Sequence, residues 1–296
     1  MTNLQFIVLL SGKSTRNYPH SKGLPHKALL PLGDFHCIDF IMKDIYNAGG
    51  RNITFVVPND EVKKCFEQCF VREPEIEEKF KKKNDQTKLD LLNSVYLPDD
   101  INLNFVIQKE PLGTGHAVAI ASNPNEPVAM ILPDDVIIST EKKHPYTRAV
   151  EEFHKTNSGN VIIGRPVKNP SRWGIIEDGF YIEKPKESKS NLSGISMFIF
   201  DKKTVENLKT ATEKMSNGET QDGMYGTELA WANAINVEAK KEETQKIRPI
   251  PFQKNDVYLD CGTIEGYEKS LLYTLLNNSK FKEENKKFMK KVLNEN

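Results

Sequence analysis

What this chain has little of narrows its possibilities first. It holds only four cysteines, Cys37, Cys65, Cys69 and Cys261, and they form no CxxC pair and no zinc-ligand spacing. Cys65 and Cys69 stand one helical turn apart, which fits one face of a helix better than a disulfide. Reduced thiols in a cytosol are expected. No run approaches the ~18 apolar residues of a spanning helix. The apolar stretch Phe6–Leu10 is too short for a secretion signal and has no basic lead-in. A soluble cytoplasmic protein without a membrane partner is therefore expected. Charge of one sign is not in excess either: 41 Lys+Arg stand against 41 Asp+Glu. A chain without a basic surplus is poorly suited to tracking a nucleic-acid backbone, although a local basic site for one small anion stays compatible. Internal repeats and low-complexity linkers are absent.

What is present points to a globular α/β protein. The 296 residues allow one large domain or two smaller ones, and a chain of that length needs no disulfide or metal staple to fold. Short runs rich in Val, Ile and Phe read as buried strands at Leu4–Leu10, Asn52–Val57, Leu103–Ile107, Val128–Leu132 and Asn160–Gly164. Helical periodicity fills the gaps at Ile38–Ala48, Glu61–Phe70, Gly115–Ala121 and Tyr146–Thr156. Alternation of this kind requires crossover connections and a mostly parallel sheet, whose ligands lie beyond the carboxyl ends of the strands.

The highly charged stretch from Pro74 to Val95 predicts one or two solvated helices. Farther on, Gly174–Ile182 and Leu192–Phe200 predict strands of a mixed region, Glu238–Lys246 a polar loop, and Ile264–Leu276 and Glu283–Leu293 terminal helices. The expected organisation is one domain over 1–276 with the charged insert at about 74–95, followed by a helical extension over 277–296.

Four segments carry chemistry. Ser11-Gly12-Lys13-Ser14-Thr15-Arg16 follows the first strand. Small residues there let backbone amides approach phosphate oxygens, and Lys13 and Arg16 add charge. A P-loop would need glycine at the position of Ile7, so that reading fails, and no Gly-x-Gly-x-x-Gly follows the strand. Farther along the same loop, Lys27 precedes the rigid Ala-Leu-Leu-Pro run ending at Pro31.

The second segment runs from Gln108 through Gly113 to His116. Gln108 can offer a donor and an acceptor to a nucleobase edge, and Gly113 can let backbone lie against a flat ring. His116, at a helix start, suits either acid–base work or packing. The third is Leu132-Pro133-Asp134-Asp135. Carboxylates at a strand end suit Mg²⁺, which takes few protein ligands beside phosphate oxygens, and alternation along a strand lets at most one of the pair face it. The fourth is Asp260-Cys261-Gly262-Thr263, where Asp260 is either a helix cap or a second metal ligand.

In order and spacing these pieces resemble the sugar-1-phosphate nucleotidylyltransferase family from Leu4 to about Tyr273. The family's glycine-rich opening is matched by Ser11 to Arg16, with Ser14 standing where a second glycine is usual. Its Pro-Lys-x-x-Leu-Pro segment is matched by Lys27 to Pro31, with His26 in place of the first proline. Its metal segment is matched by Leu132-Pro133-Asp134, its Glu-Lys-Pro by Glu183-Lys184-Pro185, and its Gly-x-Glu by Gly226-Thr227-Glu228. Within the family, Gln108 to Val118, Asp260-Cys261-Gly262 and the charged insert look most like the bacterial branch that pairs UTP with glucose 1-phosphate.

The resemblance implies a Rossmann-like three-layer α/β sandwich with a mixed, mostly parallel sheet. It also implies attack of glucose 1-phosphate on the α-phosphate of UTP, with no covalent enzyme intermediate, and a homodimer or homotetramer. By the same resemblance, Ser11, Gly12, Lys13, Ser14 and Arg16 cradle the triphosphate, and Lys27 stabilises the α-phosphate. Gln108 and Gly113 read the uracil, and Asp134 and Asp260 hold Mg²⁺. Gly174, Glu183 and Glu228 contact the sugar, and Lys184 binds its phosphate. A sister enzyme using dTTP, CTP or another sugar 1-phosphate, and a catalytically silent paralogue that binds nucleotide sugar, are the alternatives. Departures from the pattern stand at Phe35-His36 (usually Lys-Pro), Ser196 (usually Gly) and Ala232-Asn233 (often Thr-Asp).

Overall fold

The computed structural model describes residues 3–156, 158–217, 224–225 and 228–294. The first half of the chain is built as expected. Strand β1 (Gln5–Leu9) leads through a long loop and the small hairpin β2 (Pro31–Leu32) and β3 (Phe35–His36) into α1 (Cys37–Asn47). Strand β4 (Asn52–Val57), α2 (Asp60–Cys69), α3 (Pro74–Lys82), α4 (Gln86–Val95), β5 (Asn102–Ile107), α5 (Thr114–Ala121) and β6 (Val128–Ile131) follow. The charged insert is α3 and α4, neither of which buries a residue. Cys65 and Cys69 lie together on α2, and the cysteines are free thiols.

The second half departs from simple alternation. It runs β7 (Asp135–Ser139), α6 (Pro145–Thr156), β8 (Asn160–Pro166), β9 (Gly174–Glu177), β10 (Phe180–Glu183), β11 (Leu192–Phe200) and α7 (Lys202–Ser216). Then come β12 (Met224–Tyr225), β13 (Glu228–Leu229), α8 (Trp231–Lys241), β14 (Ile247–Pro251), β15 (Asp256–Asp260), α9 (Ile264–Asn277) and α10 (Lys282–Asn294).

Two sequence expectations are corrected here. The stretch Gly174–Ile182 is a hairpin, not one strand. Asp178 and Gly179 both adopt positive φ, 50° and 83°, the conformation a two-residue hairpin turn demands. The expected polar loop Glu238–Lys246 begins as the last turn of α8. Trp231, Ile235 and Ala239 recur at helical spacing and are buried, which extends the helix through the charged residues. Glu238 is buried there because Asn207 and Lys241 donate to it at 2.8 and 2.7 Å.

The main sheet has nine strands. Parallel pairing joins β5, β4, β1 and β6, and β14 to β8; β11 runs antiparallel between β6, β8 and β9. Only β10 and β11 oppose the common direction, so the sheet is mixed and mostly parallel.

Residues of β1 alternate between two apolar layers. Phe6 and Val8 face α1, α6 and α9, while Ile7 and Leu9 face α5, α7 and α8. That alternation is the period-two strand pattern with both faces covered, the three-layer arrangement expected of a parallel sheet. No helix among the described residues is long and apolar enough to cross a membrane.

Candidate active site

The strand ends assemble the first half of the site. Hydrogen bonds from Leu10 N to Val56 O and from Gln108 N to Val57 O, both 2.8 Å, carry the ladder one step past β1 and β5. The loops after β1, β5 and β6 therefore leave the sheet at the same edge. A cleft of about 360 Å³ opens there, lined by Ser11, Gly12, Lys13, Ser14, Gln108 and Lys109 among others. Gly12 faces it with nothing within 4 Å of where a Cβ would be, so its backbone is bare to a ligand. Lys13 and Arg16 are exposed. Ser14 holds a left-handed φ of 56°, which accounts for glycine being usual at that place. Its hydroxyl accepts from Lys27 N at 3.2 Å and so couples the opening loop to the lysine.

Gln108 is only 4% exposed and is already engaged. Ser11 donates to its Oε1, and its Nε2 bonds Gly113 O at 3.1 Å and His116 Nδ1 at 2.9 Å. Burial lowers the His116 pKa, so His116 serves as the neutral partner of that amide. Gly113 has φ 96°, and a Cβ there would meet Leu229 O at 2.6 Å. The close approach its bareness permits is thus made on that side by the β13 backbone, with Leu229 N bonded to Leu112 O at 2.8 Å. Glu228, exposed on β13, stands beside that turn, whereas Gly226 and Thr227 lie outside the described residues.

The charged centre lies where the loop after β6 meets the end of β15. Lys27 donates its ammonium to Asp134 Oδ2, an ion pair joining residues 107 positions apart. Burial works against charge on Asp134, but the Lys27 ammonium outweighs it and holds the carboxyl below the usual range. His26 supports the lysine by accepting Ala28 N at 3.1 Å; burial, then the Lys27 charge, lowers its pKa to about 4.

Asp260 accepts Gly262 N at 2.8 Å and the Thr263 hydroxyl at 2.6 Å. The helix cap of α9 belongs instead to Thr263, whose side chain accepts from Gly266 N. Both site carboxylates converge on Gly262: a Cβ there would lie 2.5 Å from Asp134 Oδ2 and 3.2 Å from Asp260 Oδ1. Two carboxylates meeting at one glycine fit a hard divalent cation that takes few protein ligands. Among the described residues no group of three or more His, Cys, Asp or Glu forms a fuller cage.

Asp134 lies in the turn before β7 and Asp135 is the first residue of that strand, so the expected strand alternation does not separate the two. Asp135 pairs with Asp260 across β7 and β15, and it accepts the Tyr258 hydroxyl at 2.6 Å and Ser196 N at 3.1 Å. Burial and the neighbouring Asp134 charge push its pKa up to about 6, against those two donors. Ser196, at φ 61° in the bulge of β11, also donates to Asp135 O at 2.7 Å and bonds Tyr146 at 2.8 Å. It is buried and braces the carboxylates from behind. Phe35 and His36 lie in the small hairpin ahead of α1, where His36 N donates to Asp39 at 2.8 Å, and neither lines the cleft. Asn233 lies near the start of α8.

The amino half of β11 continues past the end of β6: Met197 pairs with Ile131, whereas Ser193 pairs with Arg165 and Ile175. That overhang carries the β9–β10 hairpin. Gly174 pairs with Glu183 at the open end of the β9–β10 hairpin, and Lys184 N bonds Trp173 O at 3.0 Å. Lys184 has φ 45°, a side chain 66% exposed, and Glu183 at 3.8 Å. At Gly174 a Cβ would collide with Tyr181, so this glycine is needed to seat that ring.

Sequence reasoning did not single out Asn17. Asn17 is fully buried, and its amide donates to Cys261 O at 3.0 Å and Thr263 O at 3.2 Å, tying the opening loop to the Asp260 loop. Only its place beside Arg16 could have drawn notice.

Comparison with known proteins matches residues 5–274 to the family model described as Nucleotidyl transferase. A UTP–glucose-1-phosphate uridylyltransferase of Staphylococcus epidermidis is 27% identical, the match covering 97% of either chain. The enzyme of the same name from Bacillus subtilis is also 27% identical, over 97% of this chain and 96% of that one. Among solved structures, a UDP-glucose pyrophosphorylase from Acinetobacter baumannii superposes with a TM-score of 0.80, covering 99% of this chain and all of that one. At 22% identity that likeness is one of fold.

Proposed function

The chain belongs to the nucleotidyl transferase family, and from that membership we propose that it is a UTP–glucose-1-phosphate uridylyltransferase, forming UDP-glucose and pyrophosphate. The observation that carries the reading is the convergence of the Lys27–Asp134 pair and Asp260 on Gly262, beside the cleft lined by Ser11 to Ser14. Relatives named for this activity along their whole length support the choice of substrates.

In this mechanism a phosphate oxygen of glucose 1-phosphate attacks the α-phosphorus of UTP in line. One P–O bond forms as the α–β bridge breaks and pyrophosphate leaves. The reaction brings two anions together, so their repulsion must be offset before attack. The backbone at Gly12 and the side chains of Ser11, Lys13, Ser14 and Arg16 bind the triphosphate. Lys27, held in place by His26 and Ser14, stabilises negative charge developing at the α-phosphate. Gly174, Glu183 and Glu228 bind the sugar, and Lys184 its phosphate. Asp134 and Asp260 would hold a divalent cation, Mg²⁺ in this reading, which when bound neutralises phosphate charge. Gln108 and Gly113 shape the wall against which the uracil lies. The same reading keeps a cytoplasmic homodimer or homotetramer as its working form.

The test is pyrophosphate release with Mg²⁺, crossing UTP, dTTP, CTP, GTP and ATP against a panel of sugar 1-phosphates. Preference for UTP with glucose 1-phosphate is expected. A different preferred pair would keep the mechanism and move the specificity. Absence of release from folded protein that binds nucleotide sugar would leave a silent paralogue instead.

A further inference from the structure

One cation beside the site has no role in the scheme above. Arg165 lies near the carboxyl end of β8, half-buried, with its guanidinium carbon 4.4 Å from the ring centre of Trp173 and 4.1 Å from that of Tyr258. Its Nε is buried without a hydrogen-bond partner. Lys27 and Lys184 both face carboxylates, but among the described residues no carboxylate pairs with Arg165. The two rings hold the guanidinium by cation–π attraction and accept none of its in-plane hydrogen bonds. A buried guanidinium nitrogen whose donor is unmet is costly unless an acceptor arrives.

Its surroundings indicate which acceptor. Tyr258 stands two residues before Asp260, and its hydroxyl donates to Asp135 at 2.6 Å. Trp173 directly precedes Gly174, and its carbonyl receives Lys184 N at 3.0 Å. Arg165 therefore links the carboxylate cluster to the end of the hairpin that carries Gly174, Glu183 and Lys184. It is not among the residues lining the cleft at the opening loop. We propose that Arg165 binds the phosphate of the sugar 1-phosphate. The proposal rests on reading the site as nucleotidyl transfer to such an acceptor. Lys184 is a flexible, largely exposed point charge, whereas Arg165 is a planar fork pre-set by two rings and able to grip two phosphate oxygens at once. Together they meet a dianionic phosphate while it approaches a second anion.

The experiment is steady-state kinetics of Arg165→Gln and Arg165→Lys, with thermal midpoints measured alongside. Removing a charge-assisted contact should raise the KM for glucose 1-phosphate by roughly 10-fold or more in Arg165→Gln. The KM for UTP should stay within about 2-fold, and Arg165→Lys should recover only part of the loss. Inorganic phosphate should compete with glucose 1-phosphate in the unaltered enzyme and compete less well in Arg165→Gln.

If both KM values rise together, or neither moves, Arg165 is a brace for its two rings and the proposal fails. If Arg165→Gln does not fold, Arg165→Lys decides: an unchanged KM for glucose 1-phosphate and unchanged phosphate inhibition overturn the proposal. A separate failure, no pyrophosphate release from the unaltered enzyme with any pair, would remove the underlying functional reading.

Discussion

The two sides of the cleft are built in opposite ways. The nucleotide side stands on the parallel strands β1, β4, β5 and β6, and its polar groups are largely satisfied by one another. Ser11, Gln108, Gly113 and His116 form one chain of bonds, and Ser14, Lys27 and Asp134 form another, beside which His26 accepts from Ala28 N. The side of the proposed acceptor stands on β8, β9, β10 and β11, paired antiparallel through β11; Lys184 there is mostly exposed, with Glu183 at 3.8 Å, and among the described residues no carboxylate pairs with Arg165. The first side is preorganised by the protein alone. On the proposal above, the second is completed by an anion. Such a division suits an enzyme that must hold one fixed charge centre and admit a charged acceptor beside it.

The largest effect that would break this comparison lies on the preorganised side. Lys27→Ala or Asp134→Asn should lower kcat on the order of 10²- to 10³-fold, the usual result of removing one prearranged charge partner. Pyrophosphate release from folded variants is the measurement, and near-normal kcat would remove both residues from the charge centre.

Next in size is a contrast between two glycines of that side. Gly113→Ala must hold φ 96° and clear Leu229 O at 2.6 Å, so it should destabilise the fold by roughly 3 kcal/mol in urea unfolding. Gly12→Ala meets nothing within 4 Å, so its stability should change little while the KM for UTP rises. If Gly12→Ala leaves that KM unaltered, no triphosphate passes over Gly12.

A smaller effect comes from pH. The folded His26 pKa of about 4 lies below the unfolded value near 6.5. The unfolded chain therefore binds more protons between those values, so stability is full at pH 7 and falls as pH drops from about 6.5 toward 4. The loss from this group by pH 5 should be roughly 2 kcal/mol. His26→Asn keeps an acceptor for Ala28 N and should lose correspondingly less stability between pH 7 and pH 5. An unchanged loss would mean that His26 does not report the packing around Lys27.

The smallest expected effect compares two serines that hold positive φ, one on each side. Ser14→Gly relieves about 1 kcal/mol of left-handed strain and forfeits a bond of similar worth, so it should be near neutral. Ser196→Gly gains the same relief but loses buried hydroxyl bonds to Asp135 O and Tyr146, so it should destabilise by about 1 kcal/mol. Equal effects would show that the acceptor side does not depend on the Ser196 brace.

Those serines also mark where the sequence was legible. Strand periodicity in Leu4–Leu10 and Val128–Leu132 is a local signal, and it identified both the parallel strands and the loops at their ends. Asp178-Gly179 is equally local, a turn dipeptide passed over in favour of one long strand. Glu238 misled because a charge on a buried helix turn is allowed once Asn207 and Lys241 satisfy it, and those partners are a matter of packing. For Ser14 and Ser196 the residue type disguised a backbone conformation that glycine would have announced.

By itself, then, the sequence determined the alternating strands and helices, the covered parallel core, and the presence of Lys27 and Asp134 in loops at the carboxyl ends of its strands. These follow from hydrophobic period and from backbone chemistry within a few residues. Only the tertiary structure decided that Lys27 meets Asp134, that Asp260 and Asp134 converge on Gly262, and that Arg165 lies between Trp173 and Tyr258 with no carboxylate partner among the described residues. The first of those meetings alone joins residues 107 positions apart. Nothing in local propensity specifies such a distance; the pairing of β7 with β15 and the reach of β11 beyond β6 do, because burying both faces of the sheet leaves those registers as the arrangement that fits.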